Sequence, residues 1–524
     1  MHIVRQVGFC YTETMKTNCG KAVAGALRLV AFCGVAAVCR AGALPSWKVV
    51  YGTAEGPEGR AVELLVSDVG ELILREPGVY ATHVMPLWSA AQDPATNGSC
   101  FIVGTLSDNP ALARHLRPDE VPSGGYRVRT VAERGRDLVL IAGDTPRAAL
   151  WGTADFLMYG LPALRPDLGN NLSYYRDVFQ RGGNRLGSID GKTARTYDVA
   201  RAPQTKVRSV FTWGHPIDDF REYVRNMARL RLNRLYVWNN YPVLNAREIV
   251  EYAHSWGIEV FWGFAWGWGT NCRDNWMRDT EELAAEVLAD WRRTWRDVPG
   301  DGIYFQTFTE CADVPLDGGE SIAARAVRLV NRVAGEMFRE KPSSRIVFGL
   351  HASGVKDHLK EVAAADPRLE ILWEDTGYFP YNAGGKPVSA AAGEAITRQV
   401  LTYDGGRPVG IVWKFQMIQD WRNWTYQEGP FLLGVASRRT YRDDVAIQSE
   451  IWRNFDEPWI SRCREAHAAA RMVHALGPDV EMNVAAQLNG PVRFPTALAA
   501  DLIWNSSEDA ETILRRALNR RREE

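Results

Sequence analysis

Two spacings of apolar residues organise this chain. From about residue 207, short runs that are apolar throughout alternate with longer stretches in which apolar residues recur every third or fourth position. The first kind predicts buried strands, the second amphipathic helices. Their regular alternation predicts a parallel sheet. Strands are expected at 208–213, 234–238, 259–264, 302–308, 345–350, 370–373 and 410–415. Helices are expected between them, at 218–231, 246–256, 279–295, 320–339, 355–364 and 390–403; Phe220, Val224, Met227 and Leu230 mark the helical face of the first. An eighth strand should fall between 426 and 448, with Phe431 to Val435 its best candidate. So many consecutive strand–helix units need both faces of the sheet covered, and an α/β fold of the (β/α)8 TIM-barrel type, over 207–445, is the expected solution. The alternative is a doubly wound open sheet, which no Gly-rich phosphate loop after the first strand supports.

Ahead of the barrel, residues 45–160 predict a small α+β domain. Glu63 to Val66 and Ser99 to Gly104 read as strands. Tyr126 to Val131 and Asp137 to Ile141 read as a hairpin turned at 133–136. Asn109 with Pro110, and Thr145 with Pro146, are helix starts. Residues 161–206, rich in Pro, Gly and Asn, read as an ordered linker, and 446–524 as a helical C-terminal region.

A chain of 524 residues has room for a barrel and smaller units. Lys+Arg 62 against Asp+Glu 63 gives a net charge of -1, which points to neither nucleic acid nor an anionic membrane surface. Residues 1–43 read as a signal peptide: Lys16 and Lys21, an apolar run from Ala22 to Val38, then Ala41-Gly42-Ala43 as a cleavage site. Export to the periplasm or the exterior is expected, with a membrane anchor as the alternative. Cys100, Cys272, Cys311 and Cys463 remain beyond the leader without CxxC spacing. No metal-ligand cluster stands out, and no cofactor is expected.

The candidate chemistry lies at strand ends. The run Gly302 to Phe308 breaks at Thr309-Glu310, and the sixth strand ends in Trp373-Glu374-Asp375. In a barrel these ends share the mouth where active sites are built. Two acids facing each other there suit hydrolysis of a glycosidic bond, one protonating the leaving oxygen and the other activating water or attacking carbon.

The ordered segments Ser123 to Val128, Leu138 to Gly143 and Arg147 to Leu157 resemble the small domain that precedes the barrel in α-glucuronidases and β-hexosaminidases. Gly410 to Gln416, followed by Trp421-Arg422, is similar to the last part of an α-glucuronidase barrel. The resemblance implies Glu310 as general acid, Glu374 or Asp375 as the group that activates water, and inversion. Two features depart from it. Thr309 stands where substrate-assisted hexosaminidases carry a second acid, and Lys414 and Gln416 stand where an α-glucuronidase might carry one.

Around these acids, His215, Trp238, Asn239, Trp266, Trp268, His351, Trp373, Lys414, Gln416, Trp421 and Arg422 are candidate substrate-binding residues. Trp266-Gly267-Trp268-Gly269 reads as a sugar-stacking loop, and Lys414 with Arg422 could meet a uronic acid. Each has a structural alternative: barrel packing for the Trp residues, a turn for Asn239, core ion pairing for Lys414. Cys272 and Cys311 are expected to form a disulfide behind Glu310. The leading expectation is an exported glycoside hydrolase acting on an oligosaccharide or polysaccharide. The alternatives are a non-catalytic carbohydrate-binding protein on a degenerate barrel and a lyase forming a Schiff base through Lys414.

Overall fold

The structure, a computed structural model, describes residues 47–74, 87–89, 99–133, 136–164, 196–212, 217, 219–238, 244–267, 275, 277–311, 319–377, 390–401, 406–413, 456, 459–486 and 488–520. All belong to one compact unit, 45–524. Among the described residues no helix is long and apolar enough to cross a membrane. The expected signal peptide, 1–43, lies outside them.

The first sheet contains β1 (Lys48–Tyr51), β2 (Leu87–Ser89), β3 (Cys100–Thr105), β4 (Tyr126–Glu133), β5 (Arg136–Gly143) and β6 (Asp198–Arg201). Its order is β2-β1-β3-β5-β4-β6. β4 and β5 form the expected antiparallel hairpin, with Glu133 opposite Arg136. The Asn109 side chain accepts from the Ala111 N–H and the Thr145 hydroxyl from the Ala148 N–H, so both expected helix caps are present.

Two expectations fail in this half. Glu63 to Val66 is not a strand: it lies inside the helix Gly56–Leu74. A short apolar run does not distinguish strand from helix. Here Ala61, Val62, Leu65 and Val69 are buried at helical spacing. The supposed linker also contributes structure, because β6 pairs antiparallel with β4, Arg201 opposite Tyr126.

The barrel strands are β7 (Arg208–Phe211), β8 (Arg234–Trp238), β9 (Glu259–Ala265), β10 (Gly302–Gln306), β11 (Ile346–His351), β12 (Glu370–Gly377), β13 (Val409–Trp413) and β14 (Glu481–Ala485). They are parallel, run in sequence order, and close where β14 pairs with β7. The expected barrel is therefore present, but its eighth strand is not at 426–448. The barrel extends past 445 to 485, so 446–524 is not helical throughout. Phe431 to Val435 lies outside the described residues. In β14, Met482 and Val484 pack into the outer core, whereas Glu481 and Asn483 hydrogen-bond to side chains inside the barrel.

That alternation builds the barrel. Its interior is aromatic: Phe211, Tyr236, Trp238, Phe261 and Tyr304 pack with Val347, Leu372, Val412 and Ala485. At the strand starts this core is closed by charge. Arg234 pairs with Glu259 at 2.8 Å, Glu370 at 3.2 Å and Glu481 at 2.6 Å. Arg345 pairs with Glu259 and Glu370. Glu481 also accepts from Ser209 and Tyr236. The N-terminal end of the barrel is thus sealed, and open chemistry belongs at the other end.

The C-terminal helix Phe494–Trp504 is buried along its whole length. Trp504 meets Trp151 of the first domain edge-on, and the guanidinium of the barrel residue Arg208 lies over its ring at 4.6 Å. The last helices thereby join the first sheet to the barrel.

Candidate functional site

At the C-terminal end of the barrel the pleat decides which side chains reach the interior, because successive residues point to opposite faces. In β10, Tyr304 and Gln306 turn inward, while Phe305 turns outward and stacks between Trp266 at 3.6 Å and Phe348 at 4.8 Å. In β11, Gly349 and His351 share the inner face with Val347. In β12, Leu372 and Glu374 face inward and Trp373 outward into the helical layer. His351 and Glu374 are direct register partners on neighbouring strands.

These strands converge on Glu374, which is 1% exposed. The Tyr304 hydroxyl donates to Glu374 Oε1 at 2.5 Å, and the Gln306 amide donates to the same oxygen. Gln306 also donates to the Tyr304 hydroxyl at 2.9 Å. His351 Nε2 lies 3.3 Å from the other oxygen, Oε2. Burial, and then the Glu374 charge, push the Tyr304 phenol well above its ordinary range, so it stays a proton donor across the working pH range.

The expected site residues separate into three groups. His351 and Glu374 are brought together. Glu310 lies in the turn Phe308–Cys311 directly after β10, and Asp375 lies within β12, where the register against β13 shifts between Trp373 and Gly377. Their side chains, and that of Cys311, lie outside the described residues. So do His215, Asn239, Trp268, Cys272, Lys414, Gln416, Trp421 and Arg422.

Three Trp residues are placed differently from expectation. Trp266 is fully buried with its ring face covered by Phe305, so it offers no stacking platform to a sugar. Trp373 is fully buried on the side of β12 opposite Glu374, because adjacent strand residues cannot share a face. Trp238 faces inward but packs edge-on against Phe211 and Tyr304, forming part of the wall below Glu374. Tyr304 and Gln306 were not among the expected site residues. Their signal was the two-residue period of the strand leading to Glu310.

A surface crevice lined by Trp262, Trp291, Trp295, Arg296, Lys341 and Arg345 lies beside the start of β10, at the opposite end of the barrel from Glu374. Among the described residues, no group of three His, Cys, Asp or Glu is placed to hold a metal ion.

No protein-family model and no curated protein matches the chain in sequence. Solved structures resemble it at low identity. The GH138 enzyme targeting pectin rhamnogalacturonan II has a TM-score of 0.43 and 10% identity, over 88% of this chain and 51% of its own. This chain therefore spans about half the length of that protein. The chitobiase of Flavobacterium johnsoniae has a TM-score of 0.47 and 8% identity, over 90% of this chain and 68% of its own. The family 89 glycoside hydrolase from Clostridium perfringens has a TM-score of 0.42 and 9% identity, over 88% and 51%. What those proteins act on belongs to them.

Proposed function

We propose that the chain is a glycoside hydrolase working with carboxylates from the ends of β10 and β12. The supporting observation is Glu374: an inward-facing carboxyl in the C-terminal half of β12, level with the last residue of β11 and held by Tyr304, Gln306 and His351. Two donors on one carboxylate oxygen favour the ionised form, which a base requires. Glu310 follows the end of β10, and a single strand, β11, separates β10 from β12.

In this reading Glu310 gives its proton to the leaving oxygen as the glycosidic bond breaks. Glu374 takes a proton from water, whose oxygen bonds to the anomeric carbon with inversion. Asp375 is the alternative base. Lys414 and Arg422 would meet the carboxylate of a uronic acid residue in the substrate. The leader 1–43 would direct export.

The test is turnover of aryl glycosides and uronic-acid-containing oligosaccharides by wild type, Glu310→Gln, Glu374→Gln and Asp375→Asn, with the product anomer read by NMR. Glu310→Gln and one of the two β12 variants should lose about 1,000-fold in kcat/KM, roughly 4 kcal/mol of barrier. A substrate hydrolysed equally well by all four proteins would end the proposal.

One observation favours a second reading, a carbohydrate-binding protein without turnover: Glu374 is buried and both its oxygens already meet neighbouring side chains. That reading requires wild type and Glu374→Gln to retain the same glycan ligands on an array while neither releases product.

A further inference from the structure

We infer that Tyr304 is a positioning residue that sets the orientation and the ionisation of Glu374. This rests on the proposed role of Glu374 as the base and adds the group that prepares it. Tyr304 lies one strand beyond its target, because β11 separates β10 from β12. Its hydroxyl must therefore cross β11, and it does so over Gly349, where a Cβ would collide with the phenol oxygen. The ring below is fixed by aromatic neighbours: Phe211 at 4.8 Å, Tyr236 at 5.3 Å and Trp238 at 6.0 Å between ring centroids. A fully buried ring clamped on several sides holds its hydroxyl at one point, and that point is 2.5 Å from Glu374 Oε1.

The consequence is an asymmetric carboxylate. Oε1 takes the Tyr304 and Gln306 donors from β10, and Oε2 is turned toward His351 on β11. Among the described residues, Tyr304 and His351 are titratable groups that meet Glu374. Tyr236 and Glu481 act on Tyr304 from lower in the barrel. Burial alone would favour a protonated Glu374, whereas donors to the charged form favour the carboxylate. Removing the phenol hydroxyl leaves burial less opposed, so the proton should be held more tightly.

The experiment follows the Glu374 carboxyl directly. Full-length protein is labelled with [5-13C]glutamate, and the Glu374 signal is assigned as the resonance missing in Glu374→Gln. Its titration is compared in wild type and Tyr304→Phe, with the melting temperature recorded for both. The Glu374 midpoint should move upward by about one pH unit in Tyr304→Phe. In a hydrolase, the pH–rate limb reporting the base should move by the same amount with KM little changed. Replacing Tyr304 by a fluorotyrosine, a more acidic phenol of nearly the same size, should move the midpoint downward. This second variant keeps the test open if Tyr304→Phe does not fold. An unchanged Glu374 midpoint in either folded variant overturns the inference. Absence of glycosidase activity with the midpoint shifts intact overturns the proposed function and leaves the positioning role standing.

Discussion

The hydroxyl of Tyr304 passes over Gly349 at a point where any side chain on residue 349 would strike it. The backbone of β11 and the phenol of β10 are therefore matched parts of one device. Gly349→Ala forces the Tyr304 ring away from its clamp, and overpacking of this kind costs about 1–3 kcal/mol. We expect a lower melting temperature and at least a tenfold loss of turnover, since the Glu374 contact is displaced. In Tyr304→Phe the oxygen is gone and part of the collision with it. The two substitutions should thus be non-additive in a double-mutant cycle read by chemical denaturation; strict additivity would show that the two positions do not communicate.

Glu374 and Glu481 are both buried glutamates inside the barrel, Glu481 as the first residue of β14 and Glu374 in the C-terminal half of β12. Glu481 opens β14 and is locked to Arg234, Ser209 and Tyr236. Removing Glu481 takes the shortest of three carboxylate contacts from Arg234, which keeps Glu259 and Glu370. It also leaves the buried Ser209 and Tyr236 hydroxyls without their acceptor, which costs about 1–3 kcal/mol. Glu481→Ala should therefore unfold at clearly lower denaturant than wild type, while its remaining folded fraction keeps its kcat. Glu374→Gln should show the reverse, with turnover lost and stability changed by less than about 1.5 kcal/mol, since the amide can still accept from Tyr304. Parallel denaturation and kinetic measurements on the two variants distinguish the sealed end from the working end.

What could be read from residue order follows from where side chains face. Strands such as Arg234–Trp238 and Ile346–His351 carry apolar residues on both faces and stand out in the chain. β14 does not, because Glu481 and Asn483 fill the polar part of the barrel interior. Its five residues resemble a surface segment until the barrel is closed around them. The same blindness hid Tyr304 and Gln306: the run to Glu310 looked uniformly buried, and only the pleat separates Phe305, which stacks on Trp266, from its inward neighbours. Trp266 was misread for a related reason. Its flanking glycine signals a turn, but a turn residue can still fold its ring back onto the outer core.

The union of the first sheet, the barrel and the C-terminal helices rests on buried charge that no local pattern announces. Arg231, 1% exposed, pairs with Asp501 of the helix Phe494–Trp504 and lies 3.5 Å from Asp155. Asp155 accepts from Tyr126 at 2.7 Å and pairs with Arg201 of β6 at 2.5 Å. Arg516 of the last helix completes the set on Asp501 at 3.0 Å. Asp501→Ala removes one carboxylate partner from each of Arg231 and Arg516, which keep Asp155 and Glu508, and should destabilise the protein by about 1–3 kcal/mol. If the network joins the parts, proteolysis of the variant should release the C-terminal helices before the barrel is cut. Simultaneous loss of all parts at the wild-type denaturant midpoint would contradict this.

Glu58 and Asp108, two acids beside the first sheet, make stability depend on pH with a defined sign. Glu58 is fully buried near the start of the helix Gly56–Leu74, and its Oε1 accepts from the Gly52 N–H at 3.0 Å and the Thr53 N–H at 2.8 Å. Burial raises its pKa to about 8, the backbone donors partly oppose this, and the neighbouring Asp108 carboxyl adds to the rise. Gly104, at a φ of 145°, leaves the two carboxyls room that a side chain would fill. The folded state therefore binds the Glu58 proton more tightly than the unfolded chain, whose value is near 4.5. Stability from this proton is fully present below about pH 4.5 and is lost progressively as pH rises through about 8. At 1.36 kcal/mol per pH unit the whole effect is on the order of 5 kcal/mol. Glu58→Gln retains an acceptor for Gly52 and Thr53 and cannot ionise. Its stability should fall less than that of wild type between pH 5 and 8.5, and at pH 8.5 it should be the more stable protein. Denaturation curves at several pH values check this, and parallel pH profiles for the two proteins would place the Glu58 proton elsewhere.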